Sequence, residues 1–218
     1  MVRRIVFWGG SSQALVLSEA LDCTEFVLCL IVDREQIASP IMGIPIVQGR
    51  DGLECWLEEN KPTDLHFSIA IGGTLGKDRI EIADYLISRR LMERSIIHRT
   101  AYIAKTACVG AGAQILANST VCAGVTVGRQ VIVNTAASID HESIIGDGAH
   151  ISAGARLAGR VRVDKFAFVG VGAIVLPDLV IGEGAVIGAG AVVTRSVAPG
   201  KVMVGNPARE LPSGRASA

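Results

Sequence analysis

A six-residue period across the second half of the chain constrains its fold more than any other feature. From Ile97 to Val193 every sixth residue is Val, Ile or Leu, which gives seventeen consecutive matches without an insertion. If a third of all residues were aliphatic, such a run would arise by chance about once in 10⁸ trials. The residues four places after these matches, from Ala101 to Val197, are Ala, Ser or Val, with Leu179 as the single larger member.

These two restrictions predict a solenoid of short parallel strands. One large and one small residue of each hexad point inward, and a small residue after the aliphatic one, such as Gly128 or Gly146, permits a tight corner. Three hexads close one triangular coil, so the repeat predicts between five and six stacked coils. A transmembrane barrel needs strands of about ten alternating residues and an amphipathic helix needs a period of 3.6, so both are excluded.

The first half of the chain alternates strand-like and helical patterns, which is typical of a small parallel sheet. The predicted strands cover residues 4–8, 26–32 and 65–71, and the predicted helices cover 13–21 and 77–91. We therefore expect an α/β, Rossmann-like N-terminal domain over residues 1–95 and the solenoid over 96–200. A C-terminal segment follows over 201–218.

Composition excludes several classes of partner. The 21 basic and 21 acidic residues cancel without a basic run, so neither nucleic acid nor an anionic membrane is expected as a partner. The longest aliphatic stretch, residues 26–32, is too short to span a bilayer, and no signal-peptide pattern precedes it, so we expect a cytoplasmic protein without membrane insertion. The five cysteines are scattered without CxxC spacing, which favours reduced thiols over disulfides or zinc.

The hexapeptide pattern, combined with three further features, resembles a known group of enzymes. These features are the small α/β domain before the coils, the segment Asn134-Thr-Ala-Ala-Ser-Ile-Asp-His-Glu142, and the segment Val204-Gly-Asn-Pro-Ala208. Together they are similar to the hexapeptide acyltransferases, and within them to the sialic-acid O-acetyltransferase and bacillosamine N-acetyltransferase group. The resemblance covers nearly the whole chain and implies a left-handed parallel β-helix.

The same resemblance implies a function. It implies a homotrimer with active sites between subunits, acetyl-CoA as co-substrate and no metal. The acceptor would be the amino group of a nucleotide-linked 4-amino-4,6-dideoxy sugar, with GDP-perosamine as the first expectation. A UDP-linked 4-amino sugar and O-acetylation of a sugar hydroxyl remain alternatives, because the sequence states neither the nucleotide base nor the sugar carbon that carries the amine.

Acetyl transfer to an amine needs a base and a group that stabilises the oxyanion. The coils contain two histidines, His141 and His150, with His98 at their entry. An imidazole is largely neutral at pH 7 and above, and the register puts His141 on the outer surface near a corner, where it can accept a proton. The resemblance implies that His141 is the base and that Glu142 orients it, with Asp140 as an alternative. Glu142 can reach the ring only if the corner bends the backbone there.

Spacing places two further residues relative to His141. Gly159 follows it by eighteen residues, one coil, and leaves its backbone N–H open to an acyl group; the resemblance makes this N–H the oxyanion contact. His150 follows His141 by nine residues, half a coil, so the two rings lie on different sides of one subunit and can meet only between subunits. By resemblance His150 contacts acetyl-CoA. The remaining residues assigned to this pocket are Val171 and Ala189, which offer backbone to the pantetheine arm, and Asn134, a polar wall.

The N-terminal domain is expected to hold the nucleotide. Ser11, Ser12 and Gln13 follow two glycines between a strand and a helix, where backbone N–H groups and the helix dipole can face phosphate or sugar. Asp33 and Arg34 end the second strand, and Gly72 follows the third, so they are further candidate contacts. No complete GxGxxG motif is present, and NAD is therefore not expected.

Two other function classes use the same solenoid. A metal-dependent enzyme of the carbonic anhydrase type needs three converging histidines, but spacings of 43 and 9 residues put His98, His141 and His150 at three different hexad positions. A non-catalytic scaffold remains an alternative, because a solenoid surface can simply bind partners. Release of free thiol from acetyl-CoA in the presence of an amino-sugar nucleotide would separate the enzyme from the scaffold.

Overall fold

The computed structural model of the protein describes residues 2–211. Its N-terminal part is a five-stranded parallel sheet in the order β3-β2-β1-β4-β5. The bounds are β1 (Arg3–Trp8), α1 (Ser12–Ala20), β2 (Phe26–Asp33), β3 (Ile46–Gln48), α2 (Gly49–Asn60), β4 (Leu65–Ile69), α3 (Gly76–Ser88) and β5 (Met92–Glu93). The first strand lies at the centre, as in doubly wound nucleotide-binding folds, so the prediction of a Rossmann-like sheet is confirmed.

Three elements of the N-terminal part, two strands and one helix, were not predicted. The strands β3 and β5 contain only three and two residues, too few to show a period. Helix α2 begins at Gly49, contains Gly52 and buries Leu53 alone, so its apolar stripe is too weak to recognise in the sequence. Tertiary packing against β2 and β3, rather than local propensity, accounts for this helix.

The second part is the predicted left-handed β-helix, made of seventeen two-residue strands. They are β6 (Ile96–Ile97), β7 (Tyr102–Ile103), β8 (Cys108–Val109), β9 (Gln114–Ile115), β10 (Thr120–Val121), β11 (Thr126–Val127), β12 (Ile132–Val133), β13 (Ser138–Ile139), β14 (Ile144–Ile145), β15 (His150–Ile151), β16 (Arg156–Leu157), β17 (Arg162–Val163), β18 (Phe168–Val169), β19 (Ile174–Val175), β20 (Val180–Ile181), β21 (Val186–Ile187) and β22 (Val192–Val193).

The seventeen strands form three faces. The first face contains β7, β10, β13, β16, β19 and β22; the second contains β8, β11, β14, β17 and β20. The third, which we call the docking face, contains β6, β9, β12, β15, β18 and β21, and is extended by β23 (Val202–Val204) and β24 (Arg209–Glu210). Of the predicted C-terminal segment, residues 212–218 lie outside the described residues.

The inward column follows the predicted register from the second coil onward. Each aliphatic residue pairs with the one eighteen places away, as Ile139 does with Val121 and Leu157, and all three are buried. The first coil differs, because no coil precedes it to cover its open end. Ile97 is 46% exposed, and Ile103 and Val109 are only partly buried.

The glycines at the corners have a different role from the one predicted. The glycines after the aliphatic residues do not form the left-handed turn; a Cβ at Gly128 or Gly146 would instead stand 2.6 Å from an atom of the next coil. These glycines therefore allow close stacking of coils. The left-handed conformation falls two residues later, at residues such as Gln130 (φ 55°), Glu142 (φ 58°) and Gly148 (φ 66°).

The two parts pack through one face each. The side of the sheet that carries α1 shares a buried apolar cluster with Ile96, Leu116 and Ile132 of the docking face. The other side of the sheet packs against α2 and α3. No helix within residues 2–211 is long and apolar enough to cross a membrane.

Candidate active site

The corner between β13 and β14 presents His141 to solvent beside a carboxylate. The imidazole is 45% exposed, and its Nδ1 lies 3.1 Å from Oε2 of Glu142. Neighbouring side chains on a strand would point apart, but Glu142 has a φ of 58°, and this left-handed turn brings both side chains to the same side. The bend on which the predicted His141–Glu142 contact depends is thus present.

The alternative carboxylate, Asp140, makes a different contact. Its Oδ1 accepts the backbone N–H of His141 at 2.8 Å, so it caps the corner, whereas the ring nitrogen faces Glu142. Geometrically, Glu142 is the group that can orient the imidazole, and Asp140 fixes the backbone that carries it.

Gly159 lies directly above the imidazole, one coil along the solenoid. A Cβ at this position would stand 2.5 Å from Nε2 and 2.6 Å from Cε1 of His141, so the ring occupies the space that a side chain would need. The carbonyl of His141 accepts the N–H of Arg160 at 2.8 Å, whereas the N–H of Gly159 has no acceptor within residues 2–211. An unpaired donor therefore lies beside the outward nitrogen of the candidate base.

Sequence reasoning did not identify the polar residues around this corner. Arg160 forms a bidentate ion pair with Asp178 at 2.6 and 2.9 Å, and the hydrogen bonds from Arg160 hold the pKa of Asp178 below its usual value. A cavity of about 320 Å³ opens on the adjacent first face. Its lining includes Cys122, Asp140, Arg156, Ile174 and Leu176. These residues are far apart in sequence and meet only because successive coils stack.

His150 lies on the docking face and does not meet His141 within one subunit. It is buried beneath the N-terminal domain, where its Nδ1 is 3.2 Å from the carbonyl oxygen of Gly73 and its Nε2 is 3.3 Å from Nδ2 of Asn134. Its ring packs against Phe168 in a T-shaped arrangement, with the ring centroids 5.2 Å apart. Burial lowers the pKa of His150 to about 4, so the ring is neutral at physiological pH.

The residues expected to contact the pantetheine arm form a column at the corner after the docking face. Val171 and Ala189 are exposed and stack one coil apart, with the carbonyl of Val171 accepting the N–H of Gly190 at 2.8 Å. Gly172 and Gly190, which follow them, have no atom within 4 Å of where a Cβ would stand. The column therefore offers an open edge along which an extended chain can lie.

The N-terminal domain contains a larger cavity, of about 750 Å³, at the carboxyl ends of its strands. Four of the predicted nucleotide contacts line it: Ser11, Asp33, Arg34 and Gly72. The carboxylate of Asp33 is already engaged, because it accepts the N–H of Gly10 at 2.6 Å and that of Glu35 at 2.9 Å. This position at the strand ends is where ligands bind in open α/β sheets.

Two predicted contacts do not line this cavity. The side chain of Gln13 turns toward the solenoid, where its Nε2 donates to Oε1 of Gln114 at 2.6 Å, and Gln114 in turn donates to the carbonyl of Ile69. Ser12 is exposed at the start of α1 and is absent from the lining. Gln13 thus connects the two domains, because α1 packs between the sheet and the coils.

Helix α3 contributes lining residues that the sequence did not reveal. Asp78, Glu81 and Ile82 of α3 border the cavity, together with Arg50 from α2 and Leu75, which immediately precedes α3. In the sequence the helical residues are ordinary members of amphipathic helices, and only the crossing of these helices over the strand ends brings them to the cavity. Within residues 2–211, no group of three or more His, Cys, Asp or Glu side chains is arranged to hold a metal ion.

Comparison with known proteins agrees with this geometry. The bacterial transferase hexapeptide family (six repeats) matches residues 160–195. No curated protein shows significant sequence similarity to the chain. PerB from Caulobacter crescentus, solved with CoA and GDP-perosamine, is 29% identical with a TM-score of 0.88, over 97% of this chain and 99% of that one.

Two further solved structures are similar. The acetyltransferase domain of PglB from Neisseria gonorrhoeae, solved with acetyl coenzyme A, is 26% identical with a TM-score of 0.84, over 97% of this chain and 100% of that one. WeeI from Acinetobacter baumannii is 23% identical with a TM-score of 0.63, over 95% of this chain and 99% of that one, and shares the fold. The resemblance to hexapeptide-repeat nucleotide-sugar acetyltransferases is therefore confirmed.

Proposed function

We propose that the protein transfers an acetyl group from acetyl-CoA to the amino group of a nucleotide-linked 4-amino-4,6-dideoxy sugar. The observation that carries this proposal is the outward imidazole of His141, held at Nδ1 by Glu142 and covered at Nε2 by the bare backbone of Gly159. Similarity over nearly the whole chain to PerB and to the PglB domain supports the same activity.

The roles of the corner residues follow from acyl-transfer chemistry. Acetyl-CoA, when bound, supplies a thioester that an amine can attack. Nε2 of His141 accepts the proton that the attacking amine loses, and Glu142 stabilises the imidazolium that results. The C–S bond then breaks, and the imidazolium can return its proton to the departing thiolate of coenzyme A. The unpaired N–H of Gly159 is the donor for the charge that develops on the carbonyl oxygen.

The surface around these residues fits the two substrates. The open column at Val171 and Ala189 suits the pantetheine arm of acetyl-CoA. Because His150 is buried beneath the N-terminal domain, it would act on this edge only through its contact with Asn134 at the corner. The N-terminal domain, residues 1–95, would hold the nucleotide in the cavity bordered by Ser11, Asp33, Arg34 and Gly72. Because PerB, which is similar to this chain over both domains, was solved with GDP-perosamine, that sugar nucleotide is the first candidate, and a UDP-linked 4-amino sugar is the second.

The proposed site also needs a neighbouring subunit, which a homotrimer would supply. His141 lies between the first and second faces, whereas His150 and the N-terminal domain lie on the docking face, so one subunit cannot bring them together. Packing of solenoids side by side would place the His141 corner of one subunit near the docking face of the next. Since acetyl-CoA and nucleotide sugars are cytoplasmic metabolites, the reaction would take place in the cytoplasm.

The test is a screen of 4-amino sugars linked to GDP, UDP and dTDP, with coenzyme A release and product mass as readouts. We expect turnover with at least one of them and a loss of about a hundredfold or more in His141→Asn near neutral pH. The exposed Arg162→Gln variant, on the second face, is a matched control that should retain wild-type rates. Wild-type turnover by His141→Asn would remove this residue from the mechanism, and no turnover with any amino sugar would favour the scaffold alternative.

A further inference from the structure

Arg79 of helix α3 is a fully buried cation that forms no direct ion pair with a carboxylate among residues 2–211. Its guanidinium crosses from the N-terminal domain to the solenoid and donates to four backbone carbonyls. These are Gln130 (3.1 Å), Ile71 (3.4 Å), Gly148 (2.6 Å) and Ala149 (3.5 Å). Burial lowers the pKa of Arg79 to about 10, so the group remains charged at neutral pH.

Two of these carbonyls, those of Ile71 and Ala149, lie near the two partners of one hydrogen bond. Ile71 lies two residues before Gly73, and Ala149 immediately precedes His150. The Nδ1 of His150 donates to the carbonyl of Gly73 at 3.2 Å. Arg79 therefore holds the backbone next to the donor and the backbone next to the acceptor of the same contact.

The hydrogen-bond pattern fixes the tautomer of His150. A carbonyl only accepts, so Nδ1 must carry the proton. The Oδ1 of Asn134 accepts the N–H of Thr135 at 2.7 Å, which orients the amide so that its Nδ2 donates to Nε2 of His150. A single chain of hydrogen bonds therefore runs from the loop at Gly73, through His150, to the corner at Asn134.

This chain joins the two candidate substrate sites. Gly72 lines the N-terminal cavity, as do Asp78 and Glu81 on either side of Arg79. At its other end the chain reaches Thr135, which lies two coils before Val171 in the same corner column. Arg79 contacts both the loop at Ile71 and the coil at His150, and its side chain is buried between them.

We infer that Arg79 is a positioning residue, which holds His150 in its Nδ1–H tautomer and fixes the N-terminal cavity relative to the corner at Asn134. Its importance for acetyl transfer rests on the proposed function, whereas its effect on His150 does not. A lysine at position 79 keeps the charge but has a single ammonium group, which cannot bridge four carbonyls spread over three segments. A displacement of about 1 Å at a reacting group can lower turnover about a hundredfold.

The experiment compares the ¹⁵N shifts of the histidine rings in Arg79→Lys, Arg79→Gln and the wild type, with His150→Asn to assign the signals. Arg129→Gln is the matched control. The side chain of Arg129 also bridges the domains, through Asp84 and Glu93, but it donates to no carbonyl next to Gly73 or His150, and its backbone contact with Gly148 is kept in the variant. We expect the wild type and the control to show His150 with a proton on Nδ1 alone, and both Arg79 variants to show averaging between two tautomers. An unchanged Nδ1–H pattern in folded Arg79→Lys would overturn the inference.

Kinetics test the consequence for transfer. We expect kcat to fall at least about tenfold in Arg79→Lys, with KM for the nucleotide sugar changed less than about threefold, while Arg129→Gln retains the wild-type kcat. Wild-type kcat in a variant with an averaged tautomer would overturn the role in transfer. If the wild type transfers acetyl to no amino sugar, the proposed function fails, and the ring spectra alone decide the inference about His150.

Discussion

Replacing Gly159 with alanine tests the candidate site through a single methyl group. The backbone at Gly159 is not left-handed, and alanine already occupies the equivalent corner position at Ala153 and Ala189. The solenoid can therefore accept the substitution without backbone strain. The N–H of residue 159 is retained, so the change alters only the space over the imidazole of His141.

The size of the effect follows from the distances. The added Cβ would stand 2.5 Å from Nε2 of His141, about 0.9 Å closer than the 3.4 Å at which ordinary contact begins. The ring is 45% exposed and can rotate away, so stability should change by less than about 1 kcal/mol. Displacing a reacting nitrogen by about 1 Å lowers turnover about a hundredfold, which corresponds to about 2.7 kcal/mol of transition-state stabilisation.

The assay is kcat/KM for acetyl transfer, measured beside a thermal melt. We expect Gly159→Ala to lose about a hundredfold in kcat/KM while its melting temperature stays within a few degrees of the wild type. In the His141→Asn background, where no imidazole is present to be displaced, the same substitution should change the residual rate little. The double-mutant cycle thus separates displacement of His141 from a general effect on the coil.

Two results would refute this reasoning. Wild-type kcat/KM in Gly159→Ala would mean that the Nε2 side of the ring is not where the reaction occurs. An equal loss in the presence and absence of the imidazole would mean that residue 159 acts independently of His141.

Two further predictions concern stability. Ala155→Lys should lower the free energy of unfolding by several kcal/mol, because Ala155 is fully buried in the inward column and an unpaired charge there is costly. Arg156→Lys, at the exposed neighbouring position, should have the melting temperature of the wild type. An unchanged melting temperature in both variants would contradict the register. The pKa of His150 is about 4 in the folded protein and near 6.5 in an unfolded chain. As pH falls from 6.5 to 4, the unfolded state therefore binds a proton that the folded state does not. The free energy of unfolding should decline over this range by up to about 3 kcal/mol. Denaturant unfolding of His150→Asn at pH 7 and pH 5 should show a smaller decline than the wild type; equal declines would show that His150 does not titrate as its burial requires.

Much of the candidate active site at the His141 corner was predictable because the solenoid is nearly one-dimensional. A strict register fixes which residues stack eighteen places apart, so the sequence predicted that Gly159 lies over His141 and that His150 lies on another side. The contact between His141 and Glu142 depends on the left-handed φ of Glu142. This conformation is uncommon for a residue other than glycine, so it could not be predicted from the sequence.

The N-terminal cavity was less predictable, because its lining comes from separate elements. The strand ends suggested Ser11, Asp33 and Gly72, but Gln13, in the same glycine-rich turn, faces Gln114 of the solenoid instead. Nothing local in the sequence distinguishes a side chain that faces a ligand cavity from one that faces another domain.

The sequence by itself determined the solenoid, its register and the outward placement of His141, because a repeated hexad leaves only one way to bury its aliphatic residues. Only the tertiary structure decided how the two domains fit together. Arg79 looks like an ordinary charged residue of an amphipathic helix, yet it is fully buried against backbone carbonyls of the coils. Such a contact depends on the relative placement of two separately patterned segments, and no local period encodes that placement.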